Sequence, residues 1–133
     1  KPGTFTQLYV QLVFAVHKRE NVLTRIIRRN YGVTDHIHIL IGLNPCISIS
    51  DTVHDIKRNS SLYINKNRLV PGRFSWQEGY GAFSYSRTQI ENVYRYIENQ
   101  DTHHAKKSFR DEYLSLLEKY EIDYDPRFLF KFL

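Results

Sequence analysis

Only one cysteine, Cys46, stands in the 133 residues. A single thiol makes no disulfide framework and no cysteine-based zinc site, and it fits a reducing, cytoplasmic setting. Glycine and proline are sparse, six and four residues, and no repeat, low-complexity segment or linker divides the chain. The longest apolar runs are far too short to span a bilayer, and the N-terminus carries no signal-peptide pattern, so no membrane association is expected. What is present is ordinary for a globular domain: 41% hydrophobic and 25% charged residues,. The length suits one domain over residues 1–133 with a real core,. A net charge of +5 favours an anionic partner such as nucleic acid, but only weakly, because many solvated surfaces look the same.

Thr4 to His17 (TFTQLYVQLVFAVH) is apolar on both faces and reads as a central strand,. Asp35 to Leu43 (DHIHILIGL) is a second strand, ended by Asn44-Pro45. A helix capped by Ser48 or Ser50 follows, with Val53, Ile56 and Tyr63 as a rough apolar stripe,. Phe74 to Tyr85 is strand material broken by Gly79 and Gly81,. Ser86 and Gln89 form a capping box for a helix with Ile90, Val93, Tyr94 and Ile97 on its core side,. Ser108 with Asp111 opens a last helix, whose stripe is Phe109, Tyr113, Leu116, Leu117 and Tyr120. The tail after Pro126 alternates Phe128, Phe130 and Phe132, as a short strand or a docking segment would. The expected fold is α+β, an antiparallel sheet with helices packed on it.

His36 and His38 are two residues apart on the second strand. Alternate side chains of a strand share a face, roughly 6.5–7 Å apart along the backbone, so both imidazoles point one way while Ile37, Ile39 and Ile41 point into a core. Two neutral imidazoles at this spacing can lean toward one cation, with a third ligand from elsewhere. Paired histidines also occur as plain polar surface on half-exposed strands, so the pair alone does not decide.

The helix after the capping box presents a second candidate. Tyr96 lies about 110° from the centre of the apolar stripe, taking 100° per residue. Gln100 is its i, i+4 neighbour, so a phenol stands beside an amide. Tyr94 is the competing tyrosine, but its place on the apolar stripe argues for packing. A phenol of pKa about 10 is a poor nucleophile at neutral pH, and it becomes useful when a metal activates the electrophile. A divalent ion held by two imidazoles and one amide oxygen keeps its full charge for a phosphodiester. Attack by tyrosine then conserves the bond energy as a phosphotyrosine for rejoining. Nitrogen and oxygen ligands without thiolate suit Mg²⁺ or Mn²⁺.

HIH on a strand, then FSWQEGYGAFSYS, then YIENQDTHH followed by FRDEYLSLLEKYEIDYD, together resemble the single-tyrosine transposases of the IS200/IS605 type, within the HUH endonuclease class. The resemblance runs from about Thr4 to Phe130 and is most specific in WQEGYGAFS and in Tyr-x-x-x-Gln followed by His-His. It implies a ferredoxin-like or RRM-like sheet. It implies His36, His38 and Gln100 as metal ligands, Tyr96 as the nucleophile, and a homodimer whose sites combine the histidines of one subunit with the tyrosine helix of the other. The implied reaction is cleavage and rejoining of single-stranded DNA at hairpin-marked element ends through a 5′-phosphotyrosine. The implied setting is a prokaryotic cytoplasm, at the nucleoid when bound to DNA. Such proteins carry a helix and a further strand before HIH, and the segment around residues 22–32 is too short for both, so it reads as shortened or incompletely represented.

Single-strand binders combine basic residues with aromatic platforms. Lys57, Arg58, Lys66, Arg68 and Arg73, with Trp76 and Tyr80, are the candidates for DNA contacts, each of which an ordinary basic surface would also explain. Three other readings compete. An HUH replication or conjugation initiator would need further domains. A decayed or domesticated hairpin-DNA-binding protein would be expected to have lost some of the four chemical residues. A metallohydrolase would need an acidic general base, and none is obvious by position.

Overall fold

The computed structural model describes residues 2–17, 35–99, 109–125 and 127. Strand β1, Tyr9–Ala15, is buried along nearly its whole length on both faces. That is why its sequence is continuously apolar rather than alternating. It is the middle strand of an antiparallel sheet of order β2-β1-β3, with β2 at His36–Gly42 and β3 at Gly81–Tyr85. The expected α+β class and the central place of β1 are both observed.

Register sorts the side chains onto two faces, because residues directly opposite one another in a sheet share a side. Val13 faces His38 and Gly81, Ala15 faces His36, and Gln11 faces Leu40 and Phe83. The other face carries Val10, Leu12 and Phe14, packed with Ile37, Ile39 and Ile41. A one-residue slip would exchange these sets and expel the isoleucines from the core, so the apolar pattern itself pins the histidines to the opposite side.

Helix α1, Ile49–Lys66, covers the isoleucine face through Val53, Ile49 and Ile56. Ser48 caps it by accepting the Asp51 N–H at 2.9 Å, one of the two serines expected to do so. Asp51 in its first turn and Lys66 in its last complement the helix dipole,. Tyr63 is 64% exposed and Ile64 is buried in its place, because the last turn of α1 packs on Val16, Val70 and Phe74.

The expected break in the Phe74–Tyr85 strand is real and has a definite form. Trp76 bridges Val16, and Gln77 N–H donates to the Ala15 carbonyl at 2.8 Å. The chain then turns through Gly79 at φ +91°, a conformation that favours glycine, before re-pairing with β1 as β3.

Two helices lie on the histidine face. Ser86 and Gln89 make the reciprocal capping box around a short 3₁₀ turn, Arg87–Gln89, and helix α2, Ile90–Glu98, follows. Helix α3, Phe109–Lys119, buries Leu116 and Leu117 against Val13, Ala15 and Phe83, with Tyr85, Tyr113 and Tyr120 around them. Burying each such aliphatic side chain contributes about 1.5–3 kcal/mol before chain entropy is counted. The expected Ser108 cap, the 22–32 segment and the alternating phenylalanines of the tail lie outside the described residues.

Candidate active site

His36 and His38 are 7% and 9% exposed, so they are not surface polar residues. Their rings meet edge to face, centroids 5.2 Å apart. Glu112 comes down from α3 onto them, itself only 3% exposed. Its Oε1 stands 2.6 Å from His38 Nε2 and 3.9 Å from His36 Nε2. One ligand atom from each of the three residues lies within 4.8 Å of the others. Isolated carboxylates are almost never buried. This one is faced by two imidazole nitrogens, with which it makes no in-line hydrogen bond, an arrangement in which a cation among the three would meet the cost of burying the charge.

Each histidine is oriented from behind. Asp35, also buried, accepts the His36 Nδ1–H at 2.7 Å, leaving Nε2 as the ring atom on the side of Glu112. A carboxylate behind a histidine is the usual support of a metal-bound imidazole. Behind His38 stands Gln11, its Nε2 2.7 Å from His38 Nδ1. Tyr85 O–H donates to Gln11 Oε1 at 2.7 Å. Burial, then the neighbouring Tyr120 and Tyr96, pushes the Tyr85 phenol well above its ordinary range, so it keeps the proton it donates,.

Tyr96 is the sequence-predicted nucleophile, and its ring packs edge-on against His38 of the same chain, centroids 5.9 Å apart. Tyr94 is 57% exposed, contrary to its expected packing. In this nine-residue helix Val93 is the buried anchor, and the side bearing Val93 and Tyr96 faces a cavity toward α3. That cavity, about 400 Å³, is lined by Gln11, Tyr85, Asn92, Tyr96, Glu112 and Lys119 among others. It opens beside both the phenol and the carboxylate. Gln100, the expected third ligand, lies outside the described residues.

Glu112 is the functional candidate that spacing arguments missed. A signal existed: it falls on the apolar stripe of α3, four residues before Leu116, where a solvated carboxylate has no reason to be.

The DNA-contact candidates separate into two groups. Lys57, Arg58, Arg73, Trp76 and Tyr80 line a single open groove of about 670 Å³ on the α1 side of the molecule. Lys66 and Arg68 lie outside its lining, at and beyond the end of α1, with Arg68 at φ +49°. Two of the groove residues also have structural work. Lys57 Nζ donates to the carbonyls of Gln77 and Gly79 at 2.9 and 2.6 Å, holding the Gly79 turn, and burial lowers its pKa against the opposing pull of Glu78. Trp76 packs edge-on to Phe14 and Phe74 and donates its indole N–H to Ser60.

The model of the IS200-like transposase family matches residues 27–100, more than half of the chain, including both histidines and Tyr96. The chain belongs to the IS200-like transposase family. A crystal structure from Deinococcus radiodurans R1, of a protein assigned as a transposase, has a similar fold. That likeness has a TM-score of 0.51 and 23% identity, and covers 75% of this chain and 95% of that one. No curated protein matches the sequence. Family membership makes this a DNA-processing transposase, and the buried His-His-Glu cluster is a metal-binding candidate within it. Among the described residues no helix is long and apolar enough to cross a membrane.

Proposed function

We propose that this transposase cleaves and rejoins single-stranded DNA at hairpin-marked element ends, with Tyr96 as nucleophile. The observation that carries the reading is the contact of the Tyr96 ring with His38, itself part of a buried cluster with His36 and Glu112. Two imidazoles and a carboxylate suit Mg²⁺ or Mn²⁺. The residues that would hold the ion are His36, His38 and Glu112, with Gln100 as the further ligand that the resemblance implies. Bound there, it supplies positive charge to the non-bridging oxygens of a phosphodiester. A carboxylate in the set leaves less net charge at the ion than two imidazoles and an amide would.

The protein's own groups account for the rest. Asp35 and Gln11 hold the two imidazoles in place. The Tyr96 oxygen attacks phosphorus and loses its proton. The bond to the 3′ oxygen breaks, leaving a free 3′ hydroxyl and a 5′-phosphotyrosine, which a second 3′ hydroxyl can reverse. The groove lined by Lys57, Arg58, Arg73 and Tyr80 is on the other side of the sheet. It offers phosphate contacts and one exposed ring for stacking; Lys66 and Arg68, outside its lining, would add phosphate contacts near the end of α1. We take the working unit to be a homodimer with shared sites in a prokaryotic cytoplasm, at the nucleoid when bound to DNA.

The test is a covalent adduct. Labelled single-stranded DNA carrying a hairpin and element end is incubated with the protein and Mg²⁺ and resolved on a denaturing gel. We expect a shifted protein–DNA band, lost on chelation and absent in Tyr96→Phe. A band that persists in Tyr96→Phe overturns the assignment. Cleaved DNA without any band indicates attack by water, a reading that the buried Glu112 makes chemically available.

A further inference from the structure

The two histidines of the cluster are held in opposite senses. His36 Nδ1–H donates to Asp35, so Nδ1 carries a proton there and Nε2 is the atom turned to the cluster. His38 is set the other way. Tyr85 O–H donates to Gln11 Oε1, so the Gln11 amide N–H₂ points at His38 Nδ1. That nitrogen must accept, which puts the ring's proton on Nε2, the atom that stands 2.6 Å from Glu112 Oε1 without the in-line geometry of a hydrogen bond. A ring nitrogen that carries a proton has no lone pair for a cation. The hydrogen-bond chain Tyr85, Gln11, His38 thus runs in one direction, and that direction blocks His38 as an Nε2 ligand.

The chain can run in reverse without moving a heavy atom far. If the Gln11 amide turns over, Oε1 accepts from His38 Nδ1–H and Nε2 donates to the Tyr85 oxygen. His38 Nε2 is then bare. The ring holds the same number of protons in both arrangements, since the one lost from Nε2 is matched by one gained at Nδ1. Glutamine is one of the few side chains that offers a donor and an acceptor in nearly the same shape. At 1% exposure on the central strand, Gln11 has no bulk water to take over either role, and a buried amide left unpaired is costly.

We propose that Gln11, backed by Tyr85, is a positioning residue that selects the tautomer of His38, turning its amide over when a divalent cation binds. This rests on the reading of His38 as a metal ligand. It assigns a function to a polar residue that otherwise interrupts the apolar run of β1.

Mn²⁺ binding to the full chain, followed by electron paramagnetic resonance, tests it without reference to DNA cleavage. Gln11→Met removes the acceptor at similar volume, and we expect Mn²⁺ affinity to fall about 10–100-fold, the usual cost of losing such a support. Gln11→Glu offers acceptors only, favours the Nδ1–H tautomer, and should bind Mn²⁺ at least as tightly as the parent. Tyr85→Phe leaves the turned amide without its acceptor and should weaken binding even if Gln11→Met fails to fold. Imidazole ¹⁵N shifts, assigned by comparison with His38→Ala, should show Nε2–H without metal and Nδ1–H with Mg²⁺. Parental affinity in both Gln11→Met and Tyr85→Phe overturns the proposal, as does an Nδ1–H signal already present without metal. Parental affinity in His38→Ala overturns instead the metal reading beneath it.

Discussion

Gly81 looks remote from any chemistry, yet a methyl group there should disturb the site. A Cβ built on Gly81 would stand 2.9 Å from Tyr113 Cε2, 3.0 Å from the Tyr113 hydroxyl oxygen and 3.0 Å from Phe83 Cε2. Ordinary carbon contacts lie near 3.5–4.0 Å, so the rings must yield by about half an ångström or more. Phe83 is 2% exposed and has no open space to move into; Tyr113 is half-buried, packed on the same core, its phenol pushed up by burial. Overpacking of this kind costs about 1–3 kcal/mol. For a domain of this size that is a fall in Tm of roughly 3–15 °C. Tyr113 is the neighbour of Glu112 on α3, so a shift of the helix also moves the carboxylate. We therefore expect Gly81→Ala to lower Tm by circular dichroism and to weaken Mn²⁺ binding. Adding Tyr113→Leu, which removes the obstructing ring, should make the double variant less destabilised than the sum of the single changes. A Gly81→Ala protein with parental Tm and parental Mn²⁺ affinity refutes this reasoning about how α3 is seated.

Other perturbations probe other joints. Glu112→Gln keeps the shape and removes the charge, so Mn²⁺ affinity measured by calorimetry should fall at least tenfold, and an unchanged value excludes Glu112 from the ligand set. Tyr85 and Tyr113 have raised pKa values in the folded chain. They hold their protons more tightly folded than unfolded, so their contribution is intact below pH about 10 and declines as pH rises above it. Denaturant midpoints should therefore drop between pH 10 and 11, more in the parent than in Tyr113→Phe; the reverse order contradicts the burial assigned to that phenol. For shared sites, mixing inactive His38→Ala with inactive Tyr96→Phe should restore adduct formation in mixed dimers. Failure to restore it, with mixed dimers shown to form, contradicts shared sites and confines each site to one chain.

Much of this was legible in the sequence, for identifiable reasons. Period-two alternation placed His36 and His38 opposite the isoleucines, because a buried face tolerates no register slip. The capping box at Ser86 and Gln89 is a local signature and needs no tertiary context to be read. Glu112 is not legible in the sequence because its partners are more than seventy residues away in the chain, and only the docking of α3 brings them together. Gln11 is hidden for the same reason: on β1 it interrupts an apolar run, and its hydrogen-bond partners are residues that β2 and β3 place on either side. Tyr94 misled because helical periodicity marks which residues share a side, whereas the surface available to cover that side is set by the rest of the fold.

The most direct measurement is to identify which side chain carries DNA after cleavage. Trypsin cuts after Arg87, Arg95 and Lys106, so Tyr94 falls on the peptide Thr88 to Arg95 and Tyr96 on the peptide from Tyr96 to Lys106. Mass spectrometry of the nuclease-trimmed adduct should find the residual nucleotide on the Tyr96 peptide, bound through a 5′-phosphate to the phenol. A nucleotide on the Tyr94 peptide, or on any tyrosine other than Tyr96, would contradict the assignment of the nucleophile and of the site built around it.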